Sequence, residues 1–332
     1  MNNFSEEPWV SVCVTTYQHV QYIEKCLDSM LNQEVDFGYE ILVGEDGSTD
    51  GTREICIEYE KKYPDIIRLF LNKRDDVFYM HGSPTGRSNF VNNIKNARER
   101  YIAFCDGDDY WISTDKLKRQ VAVLERWNVD IVFHSVLYGF DPNTKRPNFI
   151  STDEVKMSAR SVIKESGSLM PMASIMARTK TLRNNLDGIY IGRGAHFYVQ
   201  AVCSIPHGAV WIPDLYSYYL VGSESSITQR TLSKRSASQN WLGSALDLIV
   251  YLDRKFDGRY RSEFNEAAGK AFVSYARNNR MFFRYYFPMF IRYRTLFSFS
   301  SFFGYWFWFF MNYLGVRPIF HAFKKLLIGK VN

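Results

Sequence analysis

Three carboxylates, Asp106, Asp108 and Asp109, crowd around Gly107 directly after the apolar run Tyr101–Cys105. Like charges this close disfavour one another's ionisation. A divalent cation among them relieves that repulsion, because Mg²⁺ and Mn²⁺ are hard ions that take oxygen ligands. One or two carboxylates plus substrate phosphates is the usual Mg²⁺ arrangement, so this spacing points to a metal-bridged diphosphate. A solvated Asp-Gly turn is the alternative that the stretch alone leaves open. A second acidic pair, Glu45-Asp46, follows the apolar run Glu40–Gly44 and leads into Gly47-Ser48-Thr49-Asp50-Gly51-Thr52.

Both acidic clusters need strands to carry them. The run from Trp9 to Thr15 is rich in β-branched residues and breaks at Thr16-Tyr17-Gln18-His19, which predicts a first strand. Helical spacing follows over Tyr22–Leu31, then the Glu40–Gly44 strand, a helix over Arg53–Tyr63 stopped by Pro64, a strand over Ile66–Leu71, a helix over Asn89–Arg100 and the Tyr101–Cys105 strand. Ser48, Thr49 or Asp50 can cap the second helix. This alternation implies a parallel, doubly wound sheet, whose ligands sit at the carboxyl ends of the strands. The two acidic clusters are therefore expected to converge. A helix over Lys116–Trp127 and a strand over Asp130–Tyr138 continue the pattern, and 141–160 reads as a polar excursion. Core-type runs return at Met170–Ala177, Ala195–Cys203 and Ala209–Leu220, and a polar loop follows at Gly222–Thr228. Helices are expected over Ser236–Leu252 and Ser262–Arg277.

The chain has 332 residues, 46% of them hydrophobic and 17% aromatic, with a net charge of +6. From Thr231 onward, sixteen Lys and Arg stand against five Asp and Glu, so the first 230 residues carry −5. A body of residues 1–230 and a basic helical region of 231–332 are expected, divided near Gln229–Ser233. Five cysteines without paired metal spacing fit reduced, buried thiols in a cytosolic compartment better than a disulfide framework. The segment Met1–Pro8 has no apolar stretch, so no signal peptide is expected.

The tail interleaves Phe282, Phe283, Tyr285, Tyr286, Phe287, Phe290 and Tyr293 with Arg284, Arg292 and Arg294, and Thr295–Val316 then runs without charge. That run is long enough to span a bilayer, for which about 20 residues suffice. Its many Trp and Tyr prefer the headgroup level, so the favoured expectation is a segment lying in the interface of an anionic membrane over 281–330. Spanning the bilayer, or burial against the body or a partner, stay open, as does homo-oligomerisation. A nucleic-acid partner is not expected, since the body is acidic and carries no recognition motif. A dinucleotide dehydrogenase is not expected either, because no Gly-x-Gly-x-x-Gly follows the first strand.

Ser11-Val12-Cys13-Val14-Thr15-Thr16-Tyr17, Glu45-Asp46-Gly47-Ser48-Thr49-Asp50-Gly51-Thr52 and Asp106-Gly107-Asp108-Asp109-Tyr110-Trp111 together resemble family 2 glycosyltransferases of the GT-A fold. Asn89-Phe90 and Lys116-Leu117-Lys118-Arg119-Gln120-Val121 resemble its bacterial polysaccharide-assembly branch. The resemblance covers residues 9–135 well and fades over 136–228. It implies an α/β, Rossmann-like GT-A domain with a C-terminal helical, aromatic and basic extension. The activity it implies is inverting transfer from a nucleotide-diphosphate sugar, a UDP-sugar before others, to a saccharide or lipid-linked acceptor, with Mn²⁺ or Mg²⁺. The expected place is the cytoplasm, peripheral on the inner face of the cell membrane.

By that resemblance, Thr15 and Tyr17 flank the base and ribose, Asp46 accepts a hydrogen bond from the base, and Glu45 does the same or braces the loop. Asp106 approaches the ribose, and Asp106 with Asp108 holds the metal. Arg87, in the loop before the Asn89 helix, supplies a second cation or is a solvated loop charge. Asp109 and Trp111 lie toward the acceptor. The family's general base is an Asp before an apolar helix; here the matching stretch, Arg193-Gly194-Ala195-His196-Phe197-Tyr198-Val199, places His196 there, with Ala195 as the alternative alignment. An imidazole titrates near neutrality and can take a proton. Asp187, Asp109 and His134 are further candidates. The family's Tyr-Arg-x-His signature is altered to Tyr218-Tyr219-Leu220-Val221. A rival reading is a degenerate module that holds a nucleotide sugar or a partner without chemistry.

Overall fold

A computed structural model describes residues 9–80, 82–139, 146–147, 151–165, 167–192, 194–221, 235–276, 289 and 291–296. The polar loop expected at 222–228, the boundary near 229–233, Arg193 and most of the 281–330 segment lie outside these residues.

The strands are β1 (Val10–Thr16), β2 (Tyr39–Glu45), β3 (Ile67–Leu71), β4 (Phe78–Met80), β5 (Ser83–Thr85), β6 (Tyr101–Asp106), β7 (Tyr110–Trp111), β8 (Ile131–Gly139), β9 (Arg146–Pro147), β10 (Val155–Met157), β11 (Met176–Arg178) and β12 (Ala209–Leu220). The helices are α1 (Ile23–Leu31), α2 (Thr52–Lys62), α3 (Arg87–Asn96), α4 (Lys116–Trp127), α5 (Ala159–Lys164), α6 (Thr179–Arg183), α7 (Ala195–Ser204), α8 (Arg235–Lys255) and α9 (Arg261–Ala276).

One large sheet runs in the order β3-β2-β1-β6-β11-β8-β12-β10, with β7 on β12 and β9 on β8. The β3-β2-β1-β6 half is parallel, as the alternation of strands and helices predicts. The short β11 then enters antiparallel between β6 and β8, and β12 runs parallel to β8. The sheet is therefore mixed on its second side. The Met170–Ala177 run could not announce this, because a three-residue strand has too little pattern to fix its direction.

Side chains alternate between two cores, since successive residues of a strand face opposite sides. Cys13, Ile102 and Phe104 face one cluster with α3, α7, α8 and α9. Val12, Val14, Ala103 and Cys105 face the other with α1 and α4. Burial on both sides explains why β1, β2 and β6 read as continuous apolar runs. All five cysteines are free and buried, as expected. Among the described residues no helix is long and apolar enough to cross a membrane.

Candidate active site

The end of β1 is the seam where both acidic clusters meet. On one side, the Asp46 amide donates to the Thr16 carbonyl at 3.0 Å. On the other, the Gly107 amide donates to the Thr15 carbonyl at 2.9 Å. A Cβ on Gly107 would lie 2.6 Å from the Thr16 hydroxyl and 2.9 Å from His19 Nδ1. Only glycine lets the acidic turn lie this close to β1. The convergence follows from strand order: β1 pairs with both β2 and β6, in register up to Thr16–Glu45 and Thr15–Asp106.

Beside the β2 end, Asp46 is buried and paired with Arg74 at 2.7 Å. The Arg74 guanidinium carbon lies 3.9 Å from the centre of the Tyr17 ring. Burial lifts the Asp46 carboxyl to about 6; Arg74 pulls it down and the Glu45 charge adds a smaller rise. A planar cation on an aromatic face beside a buried carboxylate has the shape and polarity to meet a flat, polar heterocycle. Glu45 is fully buried, accepting the Ser48 amide at 2.6 Å and Arg53 Nε at 2.5 Å. Of the two roles expected for Glu45, these contacts are those of a brace. The N-cap of α2 is Gly51 and not Ser48, Thr49 or Asp50; Asp50, one residue earlier, accepts the Thr52 amide at 3.0 Å.

Beside the β6 end, the Thr15 hydroxyl donates to Asp106 Oδ1 at 2.6 Å. His19 spans the turn, with Nδ1 3.2 Å from the Thr16 hydroxyl and Nε2 3.8 Å from Asp108 Oδ2. Among the described residues no group of three or more His, Cys, Asp and Glu side chains is arranged to enclose a metal ion. Asp106 and Asp108 nonetheless form a hard-oxygen pair at an accessible turn, which fits a divalent cation completed by phosphate oxygens.

Asp109 departs from its expected acceptor-facing place. It is 2% exposed, accepts the Leu220 amide at 3.0 Å and so ties the acidic turn to β12. Desolvation first, then Asp108, holds its carboxyl well above the usual range. Trp111 is likewise buried, with the Lys116 amine 4.0 Å over its ring.

Arg87 is not a loop charge. It opens α3, is buried, and donates to the carbonyls of Ile189 and Gly192. His196, in the first turn of α7, is exposed. Loss of hydration first, and the Arg87 charge, lower its pKa, while Asp106 opposes them. The charges of Asp106 and Arg87 both act on this imidazole, which ties it electrostatically to the β6 side of the seam. The other base candidates are occupied elsewhere. His134 is wholly buried, with Nδ1 2.7 Å from the Ser135 carbonyl. Asp187 takes hydrogen bonds from Tyr251 and Tyr198 and pairs with Lys255 at 3.5 Å. Sequence reasoning singled out neither Arg74 nor His19. Arg74 lies 28 residues from Asp46 in a polar connection without a motif, and His19 sits in the break after β1.

A mostly parallel sheet with two acidic strand tips flanking the end of its central strand defines a GT-A fold. The glycosyl transferase family 2 model matches residues 11–181, and the chain belongs to that family. An uncharacterized protein of Mycobacterium tuberculosis is 32% identical over 141 residues, 42% of this chain and 38% of the relative. The putative teichuronic acid biosynthesis glycosyltransferase TuaG of Bacillus subtilis is 34% identical over 115 residues, 35% of this chain and 41% of its own length. The match thus spans less than half of either relative. In structure the chain is similar to S. aureus TarS 1-349, with a TM-score of 0.57 at 18% identity, covering 82% of this chain and 74% of that one. It is also similar to the mannosyltransferase PcManGT of Pyrobaculum calidifontis, solved with GDP-Man and Mn²⁺, with a TM-score of 0.50 at 15% identity over 88% and 83% of the two chains.

Proposed function

We propose that this chain transfers a sugar, with inversion, from a UDP-sugar to a saccharide or lipid-linked acceptor in surface polysaccharide synthesis. The observation that carries the reading is the seam at the end of β1. There a buried carboxylate beside an arginine-capped tyrosine and a second carboxylate pair border the same strand end. Family membership supports sugar transfer. The names of TuaG, a putative teichuronic acid biosynthesis glycosyltransferase, and of a poly(ribitol-phosphate) beta-glucosyltransferase, 33% identical over 111 residues, support surface polysaccharide synthesis. The fold neighbour TarS, solved with UDP, supports uridine as the nucleoside.

In this reading Tyr17 and Arg74 cover the base, Asp46 accepts its N–H, and Thr15 fixes the Asp106 carboxylate toward the ribose and diphosphate. Asp106 and Asp108 would hold Mn²⁺ or Mg²⁺, which when bound offsets the charge that builds on the leaving diphosphate. His196 takes the proton of the acceptor hydroxyl as its oxygen attacks the anomeric carbon from the face opposite the leaving group. Its lowered pKa keeps the imidazole neutral, and able to accept, at neutral pH. Residues 1–230 form the transferase domain, and 231–332 the region that carries the chain to an anionic membrane surface or to a second copy.

The second reading, a module that binds a nucleotide sugar without chemistry, draws on the imidazole standing where the family uses a carboxylate. A panel of UDP-, GDP- and dTDP-sugars, screened by thermal shift and nucleotide release with and without Mn²⁺, separates the two. Mn²⁺-dependent release in wild type and none in Asp108→Ala supports the transferase. Binding without release supports the module, and no binding to any donor removes both.

A further inference from the structure

The segment that leads to His196 is gripped from two sides. From α3, Arg87 reaches the carbonyls of Ile189 and Gly192. From the other side comes α8, which lies beyond the residues matched by the family. Ser244, Leu248, Tyr251 and Lys255 recur at positions four, three and four apart, and so share one face of α8. All four meet the 187–194 segment. A Cβ on Gly192 would lie 2.1 Å from the Ser244 carbonyl oxygen and 2.8 Å from Leu248 Cβ. The segment therefore rests on the helix backbone itself, a contact open only to glycine. Gly194, two residues closer to the base, faces Leu248 Cδ2 at 3.4 Å from an added Cβ. Tyr251 donates to Asp187, and Lys255 pairs with the same carboxylate. His196 stands two residues past Gly194 with no helix cap from a side chain.

We infer that α8 sets the position of His196, with Gly192 and Tyr251 as positioning residues that act through the imidazole. This rests on the reading of His196 as the base. The C-terminal region would then be part of the catalytic architecture as well as an attachment. A carbonyl oxygen in a helix cannot yield to a methyl group as a flexible side chain can, so a substitution at Gly192 moves the segment rather than α8. A displacement of about 1 Å at a reacting group can lower turnover about 10²-fold.

The experiment uses the full chain and whichever donor of the UDP-, GDP- and dTDP-sugar panel the wild type turns over. Gly192→Ala and Tyr251→Phe are measured alone and combined with His196→Ala, reading kcat, donor KM and UDP affinity. Gly192→Ala is expected to lower kcat about 10²-fold and Tyr251→Phe several-fold, with donor KM and UDP affinity unchanged. Both losses should vanish in the His196→Ala background, because residues acting through one group are not additive. Tyr251→Phe keeps the test alive if Gly192→Ala does not fold. If His196→Ala lowers turnover while the other two variants leave kcat intact, or multiply with it, the positioning role fails and the base reading survives. If His196→Ala turns over like wild type, the base reading fails and this inference with it. A wild type that turns over no donor overturns both.

Discussion

Arg74 and Asp46 form a 2.7 Å ion pair between a partly exposed guanidinium and a carboxylate that is almost fully buried. Burial outweighs the pair, so the carboxyl sits at about 6. Two opposite pH trends follow. An acid whose folded pKa lies above its unfolded value takes up a proton on folding, so this group adds stability as pH falls from about 6 toward 4. In the proposed function this carboxylate accepts from the nucleobase, and its ionised form is lost over the same range. UDP affinity is therefore expected to weaken below pH 6 while this carboxyl's own share of stability grows. Calorimetry from pH 5 to 8 reads the first, and the Tm difference between wild type and Asp46→Asn reads the second. Asp46→Asn should weaken UDP about tenfold or more and flatten both trends. Arg74→Ala, which removes the charge that lowers this pKa, should move the affinity break to higher pH.

Thr15 orients Asp106 through a 2.6 Å hydrogen bond, while Asp108 projects from the turn beyond it. Asp108→Ala should abolish the part of UDP-induced thermal stabilisation that requires Mn²⁺, leaving the unliganded Tm close to wild type. Thr15→Val should weaken that Mn²⁺-dependent part several-fold without removing it. Equal stabilisation by UDP with Mn²⁺ and with EDTA in the wild type would exclude Asp106 and Asp108 as metal ligands.

His196 is exposed, and its pKa lies below the ordinary imidazole value. A base must be neutral to accept a proton, so the acid limb of the kcat/KM profile is expected below about 6.5. His196→Ala should lower kcat about 10²- to 10⁴-fold with little change in UDP affinity. His196→Asp, which restores the carboxylate the family places there, should recover part of the loss. An alanine variant with an unchanged profile would remove the imidazole from the chemistry.

Lys116 is wholly buried, with Nζ 2.6 Å from Gln120 Oε1 and 4.0 Å over the Trp111 ring. Desolvation lowers its amine to about 7. Between about 7 and 9 the unfolded chain holds a proton that the folded chain has released, so this group makes stability rise with pH. The slope it supplies reaches about 1.4 kcal/mol per pH unit. Urea unfolding at pH 7, 8 and 9 should show that rise in wild type relative to Lys116→Met. Parallel curves for the two proteins would mean that Lys116 stays charged in the folded state.

Strand tips were legible because their signals are local. Tyr101–Cys105 followed by acids, and Glu40–Gly44 followed by acids, each read as a buried strand ending in polar chemistry. The structure bears out both strands and the helices between them to within a few residues. Other placements needed the third dimension. Asp109 reads as one more acid of the same turn, yet it accepts an amide 111 residues away on β12 and is buried by it. Arg87 reads as a loop charge, yet its partners are carbonyls more than 100 residues on. Arg74 has no motif at all, and only the pairing of β2 with β3 brings its loop over Asp46.

The sequence by itself determined the family, the parallel half of the sheet and the two acidic tips, because apolar periodicity and short-range turn chemistry are written within ten or so residues. Tertiary structure alone decided which acids stay accessible, which arginine covers the tyrosine and what holds His196. Those outcomes depend on burial and on contacts between segments distant in the chain. A carboxylate's role is set by the water and charges around it, and those arrive only when the strands are laid side by side.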